Sequence, residues 1–208
     1  MGSYARTMPT PEPPPRVTPP PRRILVAGTS GSGKSTLAAR IAEVGGPPHV
    51  EIDALFHGAD WTPRPEFEHD VDALIARPSW VTEWQYTSVR GRLAAAADAL
   101  VWLDYPRPLV MRRVIRRTLA RRIRRIELWN GNIEPPLRTI VTDPDHIIRW
   151  AWRHHSGLPA MVHAAAAANP ALEIVRLRSP LVTEQWLCDY AEAVGVSIAP
   201  PKRRFRPA

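Results

Sequence analysis

The residues Gly28-Thr29-Ser30-Gly31-Ser32-Gly33-Lys34-Ser35 match the spacing G-x-x-x-x-G-K-[ST]. Glycines at these intervals let the backbone curl until several N–H groups point inward at phosphate oxygens, and a following helix adds partial positive charge. Lys34 is then placed to reach the β- and γ-phosphates of a nucleoside triphosphate, and the Ser35 hydroxyl to ligate Mg²⁺. With Thr36, these residues form the expected nucleotide-binding set. The competing reading is a flexible Gly/Ser turn, and the flanks decide against it. Ile24-Leu25-Val26-Ala27 reads as a buried strand, and Thr36 to Val44 as a helix stopped by Gly45-Gly46-Pro47-Pro48. Strand, glycine-rich loop and helix are the context a phosphate loop requires.

Phosphate chemistry also needs acids. His49-Val50-Glu51-Ile52-Asp53 reads as a second strand and Trp80-Val81-Thr82-Glu83 as a third, each ending in a carboxylate. Strand ends in a parallel sheet converge on one crevice, so Asp53 and Glu83 are expected near the phosphate loop. Glu83 suits the metal side, with Ser35, because it ends a strand beside the first. Asp53 suits the acceptor side, orienting or deprotonating a hydroxyl, because a loop carrying Phe56, His57 and Trp61 follows it. Capping of a nearby helix is the alternative for both acids, and the expected role of Asp104.

The elements that must position these groups alternate along the chain. A helix is expected from Pro65 to about Ala76, another over 88–97, and a fourth strand over Ala99–Asp104. A long basic helix covers about 107–128, broken by Asn130-Gly131-Asn132. Another starts near Pro144 and reaches Ala168, with a break at Gly157-Leu158-Pro159. Leu172–Leu177 is a fifth strand, and Thr183 caps a last helix to Val194. Alternation of this kind means an α/β fold with a parallel sheet covered on both faces. Residues 1–22 form a Pro-rich tail expected to stay disordered, 23–196 one domain, and 197–208 a loose basic tail.

The single cysteine, Cys188, excludes an internal disulfide and a thiolate metal cluster within one chain, which makes the cytoplasm the expected compartment. No apolar stretch approaches the ~20 residues needed to span a bilayer, so no membrane partner is expected. A net charge of +8 invites nucleic acid as a partner, but arginine supplies nearly all of it, and polyphosphate handling needs the same sign.

Eight arginines, Arg112, Arg113, Arg116, Arg117, Arg121, Arg122, Arg124 and Arg125, line the basic helix opposite Val110, Val114, Ile115, Leu119, Ile123 and Ile126. They cannot all face one ligand. A solvated face, a few arginines reaching the transferring phosphate, and a row against a nucleic-acid backbone are the three readings. Trp129, Trp150, Trp152 and Trp186 read as packing residues, and His154-His155 lack a partner at metal-ligand spacing.

With these pieces in order the chain resembles the adenylate-kinase-like P-loop kinases, and within them the topology modulation or adenylate-kinase-related proteins. The resemblance covers about residues 23–190. It rests on Gly28–Thr36, Glu51-Ile52-Asp53-Ala54-Leu55-Phe56, Trp80 to Tyr86, and Leu103-Asp104-Tyr105-Pro106 leading into the arginine helix. It implies a three-layer α/β/α domain, a five-stranded sheet of order 2-3-1-4-5, and MgATP as phosphate donor. It also implies a helical arginine-rich lid over about 121–138. Its spacing singles out Arg113 and Arg117 as the transfer arginines, and places Arg178-Ser179-Pro180-Leu181 against adenine. One departure stands out: where relatives have Asp-Gly-x-Tyr, this chain has Glu83-Trp84-Gln85-Tyr86.

The expectation is therefore an ATP-dependent phosphotransferase, a kinase that is monomeric and acts on a small acceptor. Lys34, Asp53, Arg113 and Arg117 would be its catalytic residues. The alternative is an ATP-gated nucleic-acid-binding ATPase that uses Arg121, Arg122, Arg124 and Arg125.

Overall fold

Strands buried on both faces must be covered on both, and three such segments pair side by side in this chain with a fourth, partly exposed edge strand. The computed structural model describes residues 20–198 except 137 and 145, so both expected tails lie largely outside the described residues. In chain order the elements are β1 (Arg23–Ala27), α1 (Lys34–Glu43), α2 (Ile52–Phe56), α3 (Phe67–Ile75), β2 (Trp80–Glu83) and α4 (Thr87–Ala96). There follow β3 (Ala99–Leu103), α5 (Arg107–Ile123), α6 (Thr139–Thr142), α7 (Ile147–His154), α8 (Leu158–Ala168), β4 (Glu173–Leu177) and α9 (Pro180–Ala193). Short 3-10 turns occupy Ala59–Trp61 and Trp129–Gly131.

The sheet is parallel with order β2-β1-β3-β4. Alternate side chains go to opposite faces, as the pleat requires. Leu25, Ala27, Trp80, Leu100 and Trp102 meet Phe67, Val71, Val89, Leu93 and Val162 from α3, α4 and α8. Ile24, Val26, Val81, Val101 and Leu103 meet Leu37, Ile41, Val110, Trp186 and Tyr190 from α1, α5 and α9. Most of these side chains are fully buried, each worth about 1.5–3 kcal/mol against exposure.

The expected second strand and the five-stranded 2-3-1-4-5 order are not what the chain forms. His49 makes one isolated parallel bridge to Val81, and Val50 N–H donates to the Val81 carbonyl at 2.9 Å. The Val50 carbonyl then accepts from the Thr82 hydroxyl at 2.7 Å instead of from a neighbouring backbone. At Ile52 the N–H donates to the Glu83 carboxylate at 3.1 Å, which satisfies and charges the start of α2. The side chains of β2 thus take the groups that would have continued a ladder.

Other boundaries move for local reasons. α9 begins at Pro180, with the Ser179 hydroxyl accepting from Val182 N–H, so Ser179 rather than Thr183 is its cap. Asp104 caps nothing: it pairs with Arg176, whose guanidinium lies 4.6 Å from the Trp102 ring. α5 stops at Ile123, short of 128, and Arg125 takes a positive φ of 47° just beyond it. His146 caps α7 through Nδ1, three residues after Asp143. The described end of the Pro-rich segment belongs to the fold, since the Pro21 carbonyl accepts from Tyr190 OH and the Arg22 carbonyl from Trp80 N–H.

Candidate active site

β1 delivers the chain to Gly28 at the carboxyl edge of the sheet, between β2 and β3. The loop must pass under α5, and Gly31 makes this possible. Its φ is +90°, and a Cβ there would lie 2.8 Å from both the Val110 carbonyl oxygen and Val114 Cβ. α1 then starts at Lys34, and Leu37 N–H returns to the Gly33 carbonyl at 2.9 Å.

Arg113 and Arg117, one turn apart on α5, reach back to this loop. Arg113 donates to the Ser32 carbonyl at 3.0 Å, and Arg117 to the Ser30 hydroxyl at 2.9 Å. The other arginines of the row divide between two tasks. Arg121 pairs with the buried Glu134 carboxylate and Arg122 donates to the Glu134 carbonyl, while Arg112, Arg116, Arg124 and Arg125 face solvent. The single basic row is thus three separate sets.

Lys34 is buried, and that burial lowers its pKa to about 8. Asp53 and Glu83 pull it upward, while the charges of Arg117 and Arg90 push it down. Two acids and two arginines therefore act on one ammonium. Glu83 has no exposed surface. Burial would raise its pKa, but His49 at 3.2 Å, the neighbouring Ser35 hydroxyl and Ile52 N–H together hold it below the usual carboxylate range. Ser35 and Glu83, the expected metal pair, are thus side by side. The two form an all-oxygen pair of low ligand number, which fits Mg²⁺ shared with phosphate oxygens. Among the described residues no group of three or more His, Cys, Asp or Glu could hold a metal alone.

On one side of the loop a cleft of about 310 Å³ is lined by Gly31, Gly33, Thr36, Tyr105, Arg113 and Pro180. Arg40 and Glu184 close it with a two-pronged ion pair, one arm at 2.7 Å, and Tyr105 OH meets the Thr183 hydroxyl at 2.6 Å. Arg178 is exposed and does not line this cleft, whereas its neighbour Pro180 does.

On the other side stands a polar and aromatic cluster around Asp53. Tyr86 OH donates to Asp53 Oδ1 at 2.6 Å, and Gln85 donates to the same atom at 2.9 Å. Asp53 Oδ2 has no hydrogen-bond partner among the described residues. Burial and the adjacent Asp53 push the Tyr86 phenol well above its ordinary pKa, so it stays a donor. His57 Nε2 lies 3.2 Å from Tyr86 OH, and burial lowers the pKa of the imidazole. A neutral ring donating from Nε2 completes a His57–Tyr86–Asp53 chain. Phe56 stacks on Tyr86 with ring centroids 4.0 Å apart.

The segment after α5 meets this cluster. Residues 57–63 and 127–133 form two similar hairpins, each closed by an antiparallel bridge, His57 to Pro63 and Glu127 to Ile133. Asn132 joins them: its amide donates to the Gly58 carbonyl at 2.8 Å and accepts from Trp61 N–H at 2.9 Å. Asn130 donates to the His57 carbonyl, and Trp129 stacks on His57 at 5.8 Å.

Sequence reasoning did not bring Trp129, Asn130 and Asn132 to the loop at His57–Trp61. Asn130-Gly131-Asn132 signalled a turn, but nothing in one sequence says what a turn touches. Trp186 is core as expected, Trp150 stacks on His154, and Trp152 is 56% exposed beneath Arg107 rather than packed inside. His154 and His155 are engaged with the carbonyls of Trp150 and Tyr105. No described helix is long and apolar enough to cross a membrane.

No family model matches the chain, and no curated protein matches it. Among solved structures, a gluconokinase from Sinorhizobium meliloti is 20% identical, with a TM-score of 0.44 over 84% of this chain and 92% of that one. Shikimate kinase from Acinetobacter baumannii, in complex with shikimate, is 17% identical, with a TM-score of 0.37 over 70% and 95%. A sugar kinase from a Janibacter species is 19% identical, with a TM-score of 0.42 over 86% and 100%. Function is therefore read from the site itself.

Proposed function

We propose that this protein is a kinase that transfers the γ-phosphate of MgATP to a hydroxyl of a small acceptor. The observation that carries the reading is the phosphate loop itself, with Lys34 buried at its end, Arg113 and Arg117 bonded to its Ser32 and Ser30, and Glu83 beside Ser35. Backbone N–H groups of Gly28–Thr36 cradle the phosphates, and nucleoside and ribose extend into the cleft toward Pro180. Ser35 and Glu83 would hold Mg²⁺, which supplies charge neutralisation between the β- and γ-phosphates. The acceptor oxygen bonds to the γ-phosphorus, the bond to the β,γ-bridging oxygen breaks, and ADP leaves. Asp53, through Oδ2, takes the hydroxyl proton, with Gln85 and Tyr86 holding Oδ1 in place. Arg113 and Arg117 stabilise charge on the transferring group, and the lid keeps water from competing for it.

The same arrangement gives no support to the nucleic-acid reading. Of the four arginines assigned to it, Arg121 and Arg122 are committed to Glu134. The test is label transfer from γ-labelled ATP to a panel of hydroxyl compounds without nucleic acid. Transfer above the hydrolysis background, lost in Asp53→Asn, is expected. Turnover that requires DNA or RNA and labels no small molecule would overturn the proposal.

A further inference from the structure

Asp53 and His57 stand one helical turn apart. His57 closes α2, its N–H returning to the Asp53 carbonyl at 2.9 Å, and this i to i+4 spacing puts both side chains on one face of the turn. Tyr86 OH bridges them, donating to Asp53 Oδ1 at 2.6 Å and lying 3.2 Å from His57 Nε2. Tyr86 does so from a strained backbone: its φ is 58° and its ψ 113°, a combination that a bulky side chain rarely takes. Such strain persists only where neighbouring contacts hold it, and it clusters at sites that use the resulting placement. Phe56 and Phe67 hold the phenol ring, stacked at 4.0 Å and edge-on at 5.1 Å.

A phenol hydroxyl can rotate, so the ring by itself does not decide where the proton points. A donor on the far side does. With Nε2–H of the neutral imidazole filling a lone pair of the Tyr86 oxygen, the phenol proton is left to Asp53 Oδ1, and Oδ2 is held clear. The imidazole is itself clamped. Phe56 and Trp61 meet it edge-on at 5.0 and 5.1 Å, Trp129 stacks on it from the 127–133 hairpin, and Asn130 donates to the His57 carbonyl. A phenylalanine would fill this aromatic box as well. What histidine adds is the bond to Tyr86.

Resting on the kinase reading above, we infer that His57 is a positioning residue for phosphoryl transfer: it aims the Tyr86 hydroxyl and thereby keeps Asp53 Oδ2 turned toward the acceptor hydroxyl. His57 touches no reacting atom and keeps its proton throughout, while the acceptor proton goes to Asp53. Trp129 is the wall against which the imidazole is set.

The test sets two variants of the full chain against each other. His57→Phe keeps a ring in the box and removes the donor; His57→Gln gives up the ring and keeps an N–H at similar reach. Turnover is read as phosphate released from γ-labelled MgATP, with water as the acceptor probe. His57→Phe should lose about tenfold in kcat with MgATP affinity within about twofold, and His57→Gln should recover most of that loss. On an Asp53→Asn background His57→Phe should remove less than about twofold more, because no base is left to aim. Nitrogen NMR of labelled histidines in the unliganded chain should place the His57 proton on Nε2, and Tyr86→Phe should release it into a mixture of tautomers. A loss that follows the ring instead of the donor, losses that multiply across Asp53→Asn, or a proton settled on Nδ1 would overturn the inference. Wild-type turnover that is absent, or that Asp53→Asn leaves unchanged, would instead overturn the kinase reading on which it rests.

Discussion

The two sides of the phosphate loop are built on different plans. The side read as the donor's is made of backbone and small residues contiguous from Gly28 to Thr36, held by Arg113 and Arg117 through the Ser32 carbonyl and the Ser30 hydroxyl. The side read as the acceptor's is made of side chains from segments far apart: Asp53 and His57, Gln85 and Tyr86, and Trp129 to Asn132. Triphosphate is a common ligand that backbone N–H groups can recognise, so a short local motif suffices. An acceptor hydroxyl needs directional groups at several angles, and only side chains on separate elements supply them. The donor side is therefore general and the acceptor side particular.

Lys34→Ala probes what both sides share, and the largest loss is expected there. ATP turnover should fall by about 10³-fold or more, with circular dichroism and thermal midpoint near wild type. A folded variant with full turnover would remove the central assignment.

Asp53→Asn separates the two sides. Phosphoryl transfer should fall by about 10²-fold while MgATP affinity stays within about twofold. Equal loss of transfer and ATP binding would show that the two sides are one unit.

The pH response tests the shared lysine through its hold on the donor. With Lys34 at about 8 in the free protein, its charge is largely present at pH 7 and largely absent at pH 9. ATP affinity should weaken by about tenfold across that interval, with proton uptake on binding at pH 9. Calorimetry in buffers of different ionisation enthalpy reads both, and a flat profile would contradict the assignment. The stability effect has the opposite sign. Below pH 8 the lysine is protonated whether the chain is folded or not. Between about 8 and its ordinary 10.5 the unfolded chain alone keeps the proton, so the folded state gains stability as pH rises through that window.

Asn132→Ala should have the smallest effect. Two bonds between the hairpins are lost, so the acceptor KM should rise several-fold with kcat and ATP affinity nearly unchanged. Faster proteolysis near residues 57–63 and 127–133 would accompany it. If ATP affinity falls instead, the lid belongs to the donor side.

The same division separates what one sequence shows from what it hides. The phosphate loop, β1, β2, β3 and the two-faced core were legible because each rests on neighbours in the chain: apolar runs, glycine spacing and a helix start. His49–Asp53 was misread as a strand because its apolar alternation is real. Its backbone partners were taken by Thr82 and Glu83, some thirty residues away. Arg113 and Arg117 could be separated from six other arginines only through a resemblance, since a basic helix looks alike all along its length.

Local order of residue types thus determined a strand–loop–helix turn of the kind that can cradle phosphate. Backbone recognition of phosphate needs only consecutive residues in a fixed conformation. The tertiary structure alone decided what stands across from that loop. Asp53, Gln85 and Tyr86 come together, and Asn130 and Asn132 meet the loop at His57 and Gly58, through parallel crossovers and a segment that returns after α5. Such meetings depend on how helices pack on the sheet, because long-range contacts are set by burial of the whole core and by no short stretch of sequence.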